Sequence, residues 1–179
     1  MADPKADPKA DSKTAAGVSK DLTARPVKDS QVVMTEMILP QHTNSFHNVF
    51  GGQVMAWIDI CAAIAGQRHA KRPVVTASVD ALQFIAPVKR GWFLNLHASV
   101  NYTGRTSMEI GVRVDAENPN TGEMHHTSSA YLTFVALDEG GKPVEIPQVL
   151  PESTEEKRRF KAGEIRRKHR LALRDQLNP

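Results

Sequence analysis

Residues 54–66 read VMAWIDICAAIAG, thirteen positions of which only Asp59 is charged or strongly polar. In its setting, GGQVMAWIDICAAIAGQRH, the stretch reads as a helix. A helix that is apolar on nearly every face belongs inside a core or between subunits, not on a surface. What surrounds it is β-rich. Residues 31–39 (QVVMTEMIL) end at Pro40, and residues 74–84, 92–102, 106–116 and 124–137 form four more strand candidates separated by the turn-forming runs APVKRG, TGR and ENPNTGE. Met108, Ile110, Val112 and Val114 alternate with Glu109, Arg113 and Asp115, the pattern of a half-buried antiparallel strand. One long helix among five strands with short turns is an α+β arrangement: a single domain in which an antiparallel sheet wraps around the central helix.

The 179 residues allow one domain of ordinary size plus tails, and the single Cys excludes an intrachain disulfide or a cysteine zinc quartet. Residues 1–30 carry a tandem ADPK repeat, six basic and five acidic groups and few large apolar side chains, and read as a disordered tail. They have no apolar signal core, and no apolar run in the chain approaches the ~20 residues of a membrane span. A soluble, cytoplasmic protein is the expectation. The formal charge of +3 invites a nucleic-acid partner, but its location argues against one. Residues 31–151 hold eight basic and ten acidic groups, whereas residues 152–179 hold nine and five, so the excess sits in a basic C-terminal helix that opens with Ser153 and Glu156 at capping-box spacing. That segment lacks the interleaved aromatics of nucleic-acid modules.

Asp59 is the first chemical candidate. An ionised carboxylate on an apolar helix must be partnered, protonated or open to a cleft, and a structural hydrogen bond explains it as well as catalysis does. The second is the entry NSFHNVFGG. Gly51 and Gly52 leave first-turn N–H groups open at the positive end of the helix dipole, able to polarise a carbonyl oxygen, with the amides of Asn44 and Asn48 nearby; an ordinary Asx turn is the plain alternative. Gly52 and Asp59 are seven residues apart, about 10.5 Å along one helix, too far to address one reacting carbon together. If both act, they come from different copies, which predicts a site shared across a homodimer. The seven His show no metal-ligand spacing, no serine stands in a GxSxG elbow, Cys61 reads as packing, and no metal or cofactor is expected. Phe46, Phe50, Met55 and Trp57 serve equally as walls of an apolar tunnel or as core filling.

Four segments in order, PQHTNSFHNVFGGQVMAWIDICAAIAGQRH, VVTASVDALQFIAPVKRGW, TGRTSMEIGVRVDAE and SSAYLTFVALDEGGKPVEIPQVLPESTEEKRRF, resemble the hotdog-fold acyl-CoA thioesterases, in particular the brain-type cytosolic hydrolases and their short bacterial relatives, over about residues 31–170. The resemblance implies a five- or six-stranded sheet around the helix, a homodimer and a trimer of dimers. It implies hydrolysis of acyl-CoA, with Asp59 as base or nucleophile, Asn44 on the carbonyl or water, and the Gly51 and Gly52 amides as oxyanion donors. Because the substrate carries CoA phosphates, Arg105 with Thr106 and Ser107 in the TGRTS turn is the first choice for CoA binding, ahead of Lys89, Arg90, Arg158 and Arg159. A module that binds acyl-CoA without hydrolysing it is the alternative.

Overall fold

The computed structural model describes residues 21–177. In chain order the elements are β1 (Arg25–Pro26), a 3-10 turn (Val27–Ser30), β2 (Val32–Met37), a second 3-10 turn (Pro40–His42), α1 (Gly51–Ala70), β3 (Val74–Phe84), β4 (Phe93–Thr103), β5 (Ser107–Glu117), β6 (Met124–Ala136), β7 (Val149–Leu150) and α2 (Thr154–Leu177). Five strands make one antiparallel sheet in the order β2-β4-β5-β6-β3, and β1 pairs with β7 in a separate two-stranded parallel sheet. β4, β5 and β6 follow one another as hairpins, while β2 and β3 form the edges.

The concave face holds the core. Met108, Ile110, Val112 and Val114 of β5 and Leu94, Leu96 and Val100 of β4 pack with Val54, Trp57, Ile58, Cys61, Ala62 and Ala65 of α1, all buried. Full burial of each aliphatic side chain of this size contributes ~1.5–3 kcal/mol. Gly66 lets the helix approach closely, since a Cβ there would meet Ile110 at 3.1 Å and Val74 at 3.4 Å. The helix ends with Lys71 in the left-handed region, its N–H bonded to the Gln67 carbonyl at 2.8 Å.

One face of α1 stays open. Met55, Ile60 and Ile64 are 45%, 50% and 37% exposed, and on the adjoining edge strand Val75 and Val79 are 45% and 49% exposed. The core covers one side of this apolar helix, and the stripe on the other side stays exposed.

The polar face of β5 is covered as well. α2 lies across the convex side of the sheet, where Arg166 donates to buried Glu109 through Nε at 2.9 Å and Nη2 at 2.6 Å, and Arg170 pairs with Asp80 of β3. Gly163 sits where a Cβ would lie 2.9 Å from both Glu109 and Tyr102, so only glycine allows this approach. The anticipated capping box is formed: Glu156 N–H donates to Ser153 Oγ at 3.2 Å and Ser153 N–H to Glu156 Oε2 at 2.9 Å.

The tail expected over residues 1–30 ends earlier than its charge implied. Residues 1–20 lie outside the described residues, but Arg25–Ser30 belongs to the fold, with Val27 and Ser30 buried. Ser30 Oγ donates to the Val27 carbonyl at 2.7 Å and accepts from Val100 N–H at 3.0 Å. Two small buried side chains anchor a segment that otherwise reads as solvated.

Candidate active site

The loop before α1 folds around Asn44. Its side-chain Oδ1 accepts from Phe46 N–H at 2.9 Å and Asn48 N–H at 3.2 Å, while its backbone N–H reaches the Asn48 carbonyl at 2.9 Å. His47 closes the turn at φ 58°, and its carbonyl accepts from Arg90 N–H at 3.0 Å. Lys89 bridges Asn48 in the same brace, so Lys89 and Arg90 hold this loop through their backbones. With Oδ1 occupied, the Asn44 amide nitrogen is left without a protein partner among the described residues, available as a donor.

Phe50 caps α1 without a side-chain hydrogen bond, and the first backbone bonds into the helix come from Gln53 and Val54 to the Phe50 carbonyl, at 3.0 and 3.2 Å. The Gly51 and Gly52 N–H groups therefore stay open, at the positive end of the helix dipole. Asn44, Asn48 and Gly51 line a cleft of about 360 Å³ whose other walls are apolar: Val49, Val54, Phe84, Ile85, Ala86, Pro87 and Val88, with Thr127. Phe84 lies against the helix start, 3.2 Å from where a Gly51 Cβ would stand. A pair of N–H donors beside an apolar slot suits a carbonyl attached to a hydrocarbon chain.

Asp59 is not among the residues lining that cleft. It lies partly exposed on the open face of α1, and its Oδ1 accepts from Thr76 Oγ1 of β3 at 2.6 Å. The helix is unbroken from Gly51 to Ala70, so the separation of about 10.5 Å between Gly52 and Asp59 stands. Thr76 was not foreseen, although a signal exists. α1 ends at Ala70, Lys71 turns the chain in the left-handed region, and β3 runs back along the helix from Val74, so the first residues of β3 are the ones to search for a partner of a helix side chain.

Arg105 stands on the β4–β5 turn with its side chain 78% exposed and 3.6 Å from Glu145. Thr106 and Ser107 serve that turn through backbone carbonyls, which accept from Ala136 N–H at 3.1 Å and Gly104 N–H at 2.7 Å. Since Ala136 also pairs with Val74, the turn lies at the sheet end where β3 begins, the Thr76 end, away from the Phe84 end where Asn44 sits. Arg158 and Arg159 bond Glu155 on α2, across the sheet from α1. Of the tunnel candidates, Trp57 is buried edge-on against His42, and Phe46, Phe50 and Met55 are exposed and not among the residues lining the cleft. Burial pushes the Cys61 thiol up to about 11, which leaves it unreactive.

Comparison with known proteins adds to this geometry. The family model for the thioesterase superfamily matches residues 46–123. The Bacillus subtilis protein YkhA, an uncharacterized acyl-CoA thioester hydrolase, is 43% identical over 129 residues, 72% of this chain and 75% of its own. The cytosolic acyl coenzyme A thioester hydrolase of Rattus norvegicus is 36% identical over 78% of this chain, which spans only 37% of that protein's length. Among solved structures, an apo hexameric acyl-CoA thioesterase superposes with a TM-score of 0.81 at 43% identity, covering 84% of this chain and 96% of its own. The Staphylococcus aureus acyl-CoA hydrolase, determined with butyryl coenzyme A, coenzyme A and coenzyme A disulfide, does so with a TM-score of 0.81 at 38% identity, covering 86% and 93%. That hydrolase has also been determined as alanine variants of an Asn, an Asp fifteen residues later and a Thr seventeen residues after that. Asn44, Asp59 and Thr76 stand at the same spacings here. The chain belongs to the thioesterase superfamily and has its hotdog fold.

Proposed function

We propose that this protein hydrolyses acyl-CoA to a carboxylic acid and CoA at a site shared between two copies of the chain. The observation that carries the reading is the split constellation: amide donors and an apolar slot at one end of β3, and a carboxylate with its threonine at the other. β3 is an edge strand with an apolar, uncharged stretch beside the open stripe of α1, and such an edge calls for a cover. Antiparallel pairing of two β3 edges puts the Asp59–Thr76 end of one copy against the Asn44–Gly52 end of the other and hides both stripes. The hexameric assembly of related thioesterases favours dimers grouped further, as a trimer of dimers.

In this site the thioester carbonyl oxygen receives the Gly52 and Gly51 N–H groups and the Asn44 amide, and the acyl chain lies in the cleft beside Phe84. Thr76 engages one oxygen of Asp59, and the other takes the proton of a water attacking the carbonyl carbon. The tetrahedral oxyanion forms against the amides, and its collapse expels CoA thiolate, a leaving group good enough to need no strong acid. The chemistry calls for no metal or cofactor, CoA being part of substrate and product. Arg105, on the turn at the Asp59 end, meets a CoA phosphate, and loss of that contact in Arg105→Ala weakens binding most at low salt. The cytosolic relatives favour a cytoplasmic place of action.

Thiol release from a panel of short, medium and long acyl-CoAs tests the reading. Turnover by the wild type, reduced at least ~100-fold in Asp59→Ala with the fold intact, is expected. Binding of acyl-CoA with no thiol release would establish the non-hydrolytic module instead.

A further inference from the structure

Ser129, His126 and Asp115 form a hydrogen-bonded chain on the convex face of the sheet, opposite α1. Ser129 Oγ and His126 Nε2 are 3.1 Å apart, as are His126 Nδ1 and Asp115 Oδ1. Residues three apart in a regular strand point to opposite faces, so His126 and Ser129 would ordinarily not meet. A bulge brings them together. The β5–β6 register passes from Val114 opposite Ser128 to Asp115 opposite His126, leaving Thr127 as an extra residue. The bulge is pinned on both sides: Thr127 Oγ1 donates to the Val114 carbonyl at 3.2 Å, and the Thr127 carbonyl accepts from Ile85 N–H at 2.8 Å. Bulges of this kind re-aim side chains beside active sites.

The partners also set the proton positions. Asp115, nearly buried and held by Arg113 Nε at 2.8 Å, offers only acceptors, so His126 carries its proton on Nδ1 and presents the Nε2 lone pair to the Ser129 hydroxyl. A nucleophile bonded to a base that a third group orients is the arrangement of covalent acyl transfer. Ser129 also opens onto a cleft of about 460 Å³ between α2 and the sheet, with Ser99 and Gly111 on its floor and Arg113, Arg158, Arg159 and Arg166 around it. That volume is within the range of small-molecule sites; its four arginines are paired with three carboxylates, Asp115, Glu109 and Glu155, the last also lining the cleft, and the one positive charge left over favours an anionic ligand.

We propose that Ser129 is the nucleophile of a second acyl-transfer site, separate from Asp59, that cleaves small carboxylic esters bearing an anionic group. Ser129 Oγ attacks the ester carbonyl carbon and its proton passes to His126 Nε2. The Asp115 carboxylate stabilises the imidazolium. Arg113 pairs with Ser129 across the strands, and with its Nε held by Asp115 its Nη groups are the ones left to set positive charge beside the oxyanion. Collapse breaks the bond between carbonyl carbon and ester oxygen, and the alcohol leaves with the proton from His126. Water, deprotonated by His126, then attacks the acyl-serine, releasing the carboxylic acid and restoring Ser129; no other reactant enters.

The test uses the full-length Asp59→Asn chain, in which the thioester site is disabled. It is treated with a fluorophosphonate probe, the adduct is mapped by mass spectrometry, and hydrolysis of mono-p-nitrophenyl succinate is followed. An adduct on Ser129 is expected, with labelling and ester hydrolysis both reduced at least ~100-fold by Ser129→Ala and by His126→Gln. Unchanged circular dichroism, and retained acyl-CoA hydrolysis when the same two variants are made with Asp59 present, show that the fold survives. No adduct at Ser129, or labelling of His126→Gln at the undiminished rate, overturns the proposal.

Discussion

Thr76 Oγ1 lies 2.6 Å from Asp59 Oδ1, tying the edge strand of the sheet to the only carboxylate on the central helix. A hydroxyl donating to one carboxylate oxygen fixes the orientation of the other. Thr76→Ala is therefore expected to lower kcat ~10-fold, Asp59→Asn at least ~100-fold, and the double variant no more than Asp59→Asn alone. Thr76→Ser, which keeps the hydroxyl, restores most of the loss. Steady-state thiol release from the four variants checks this, and fully multiplicative losses in the double variant would separate the two residues.

The shared site has its own signature. Val79, near the middle of β3 and half exposed, sits where a partner strand is expected, so Val79→Lys should give a folded monomer whose acyl-CoA turnover falls at least ~100-fold. Complementation gives the converse result. Asp59→Ala and Asn44→Ala chains, each inactive alone, are expected on co-expression to recover about one quarter of wild-type activity, because half of randomly formed dimers hold one intact site of two. Activity retained by a Val79→Lys monomer, as judged by sedimentation and turnover together, would place the whole site within one chain.

Much of this was legible in the sequence because periodicity and apolar runs report burial directly. The uninterrupted apolar face around Asp59 located the central helix, and the alternation from Met108 to Val114 located the strand beneath it. The helical rise alone parted Asp59 from Gly52. Other features depend on register and tertiary cover, which composition does not encode. The β3 register carries two irregularities, between Thr76 and Ser78 and between Val79 and Ala81, so neither the strand pattern nor the Thr76 partner follows from alternation. Glu109 and Asp115 read as solvent-facing, yet α2 and its Arg166 bury the first and the bulge at Thr127 encloses the second. The N-terminal boundary was missed because Val27 and Ser30 are two buried side chains in a run dominated by charge.

Phe84 closes the apolar slot next to the open amides of α1, its ring 3.2 Å from the position of a Gly51 Cβ. Removing the ring lengthens the slot without touching the donors. Phe84→Ala should shift the best substrate toward longer acyl chains, lowering KM for a long acyl-CoA several-fold relative to a short one. Gly51→Ala should act in reverse by pressing on the same ring, impairing long chains first. Ratios of kcat/KM across a chain-length series read both effects, and unchanged ratios would remove Phe84 from the acyl path.

His69 makes stability depend on pH. The imidazole is fully buried on α1, with Nε2 2.9 Å from the Pro147 carbonyl and Nδ1 without a protein partner among the described residues, so the ring is neutral and donates through Nε2. Burial pushes its pKa below 6.5; the nearby Arg25 acts in the same direction, while the Pro147 hydrogen bond and Asp29 oppose it. The unfolded chain then binds more protons than the native one below about pH 6.5, so the contribution is complete above that pH and is lost as pH falls toward the depressed native value. Tm should accordingly drop between about pH 7.5 and pH 5. His69→Gln, which can keep a donor to Pro147 but cannot titrate, should be somewhat less stable at the higher pH and lose less on acidification. Parallel melting curves for the two proteins over that range check the prediction, and equal slopes would assign the acid sensitivity to other groups.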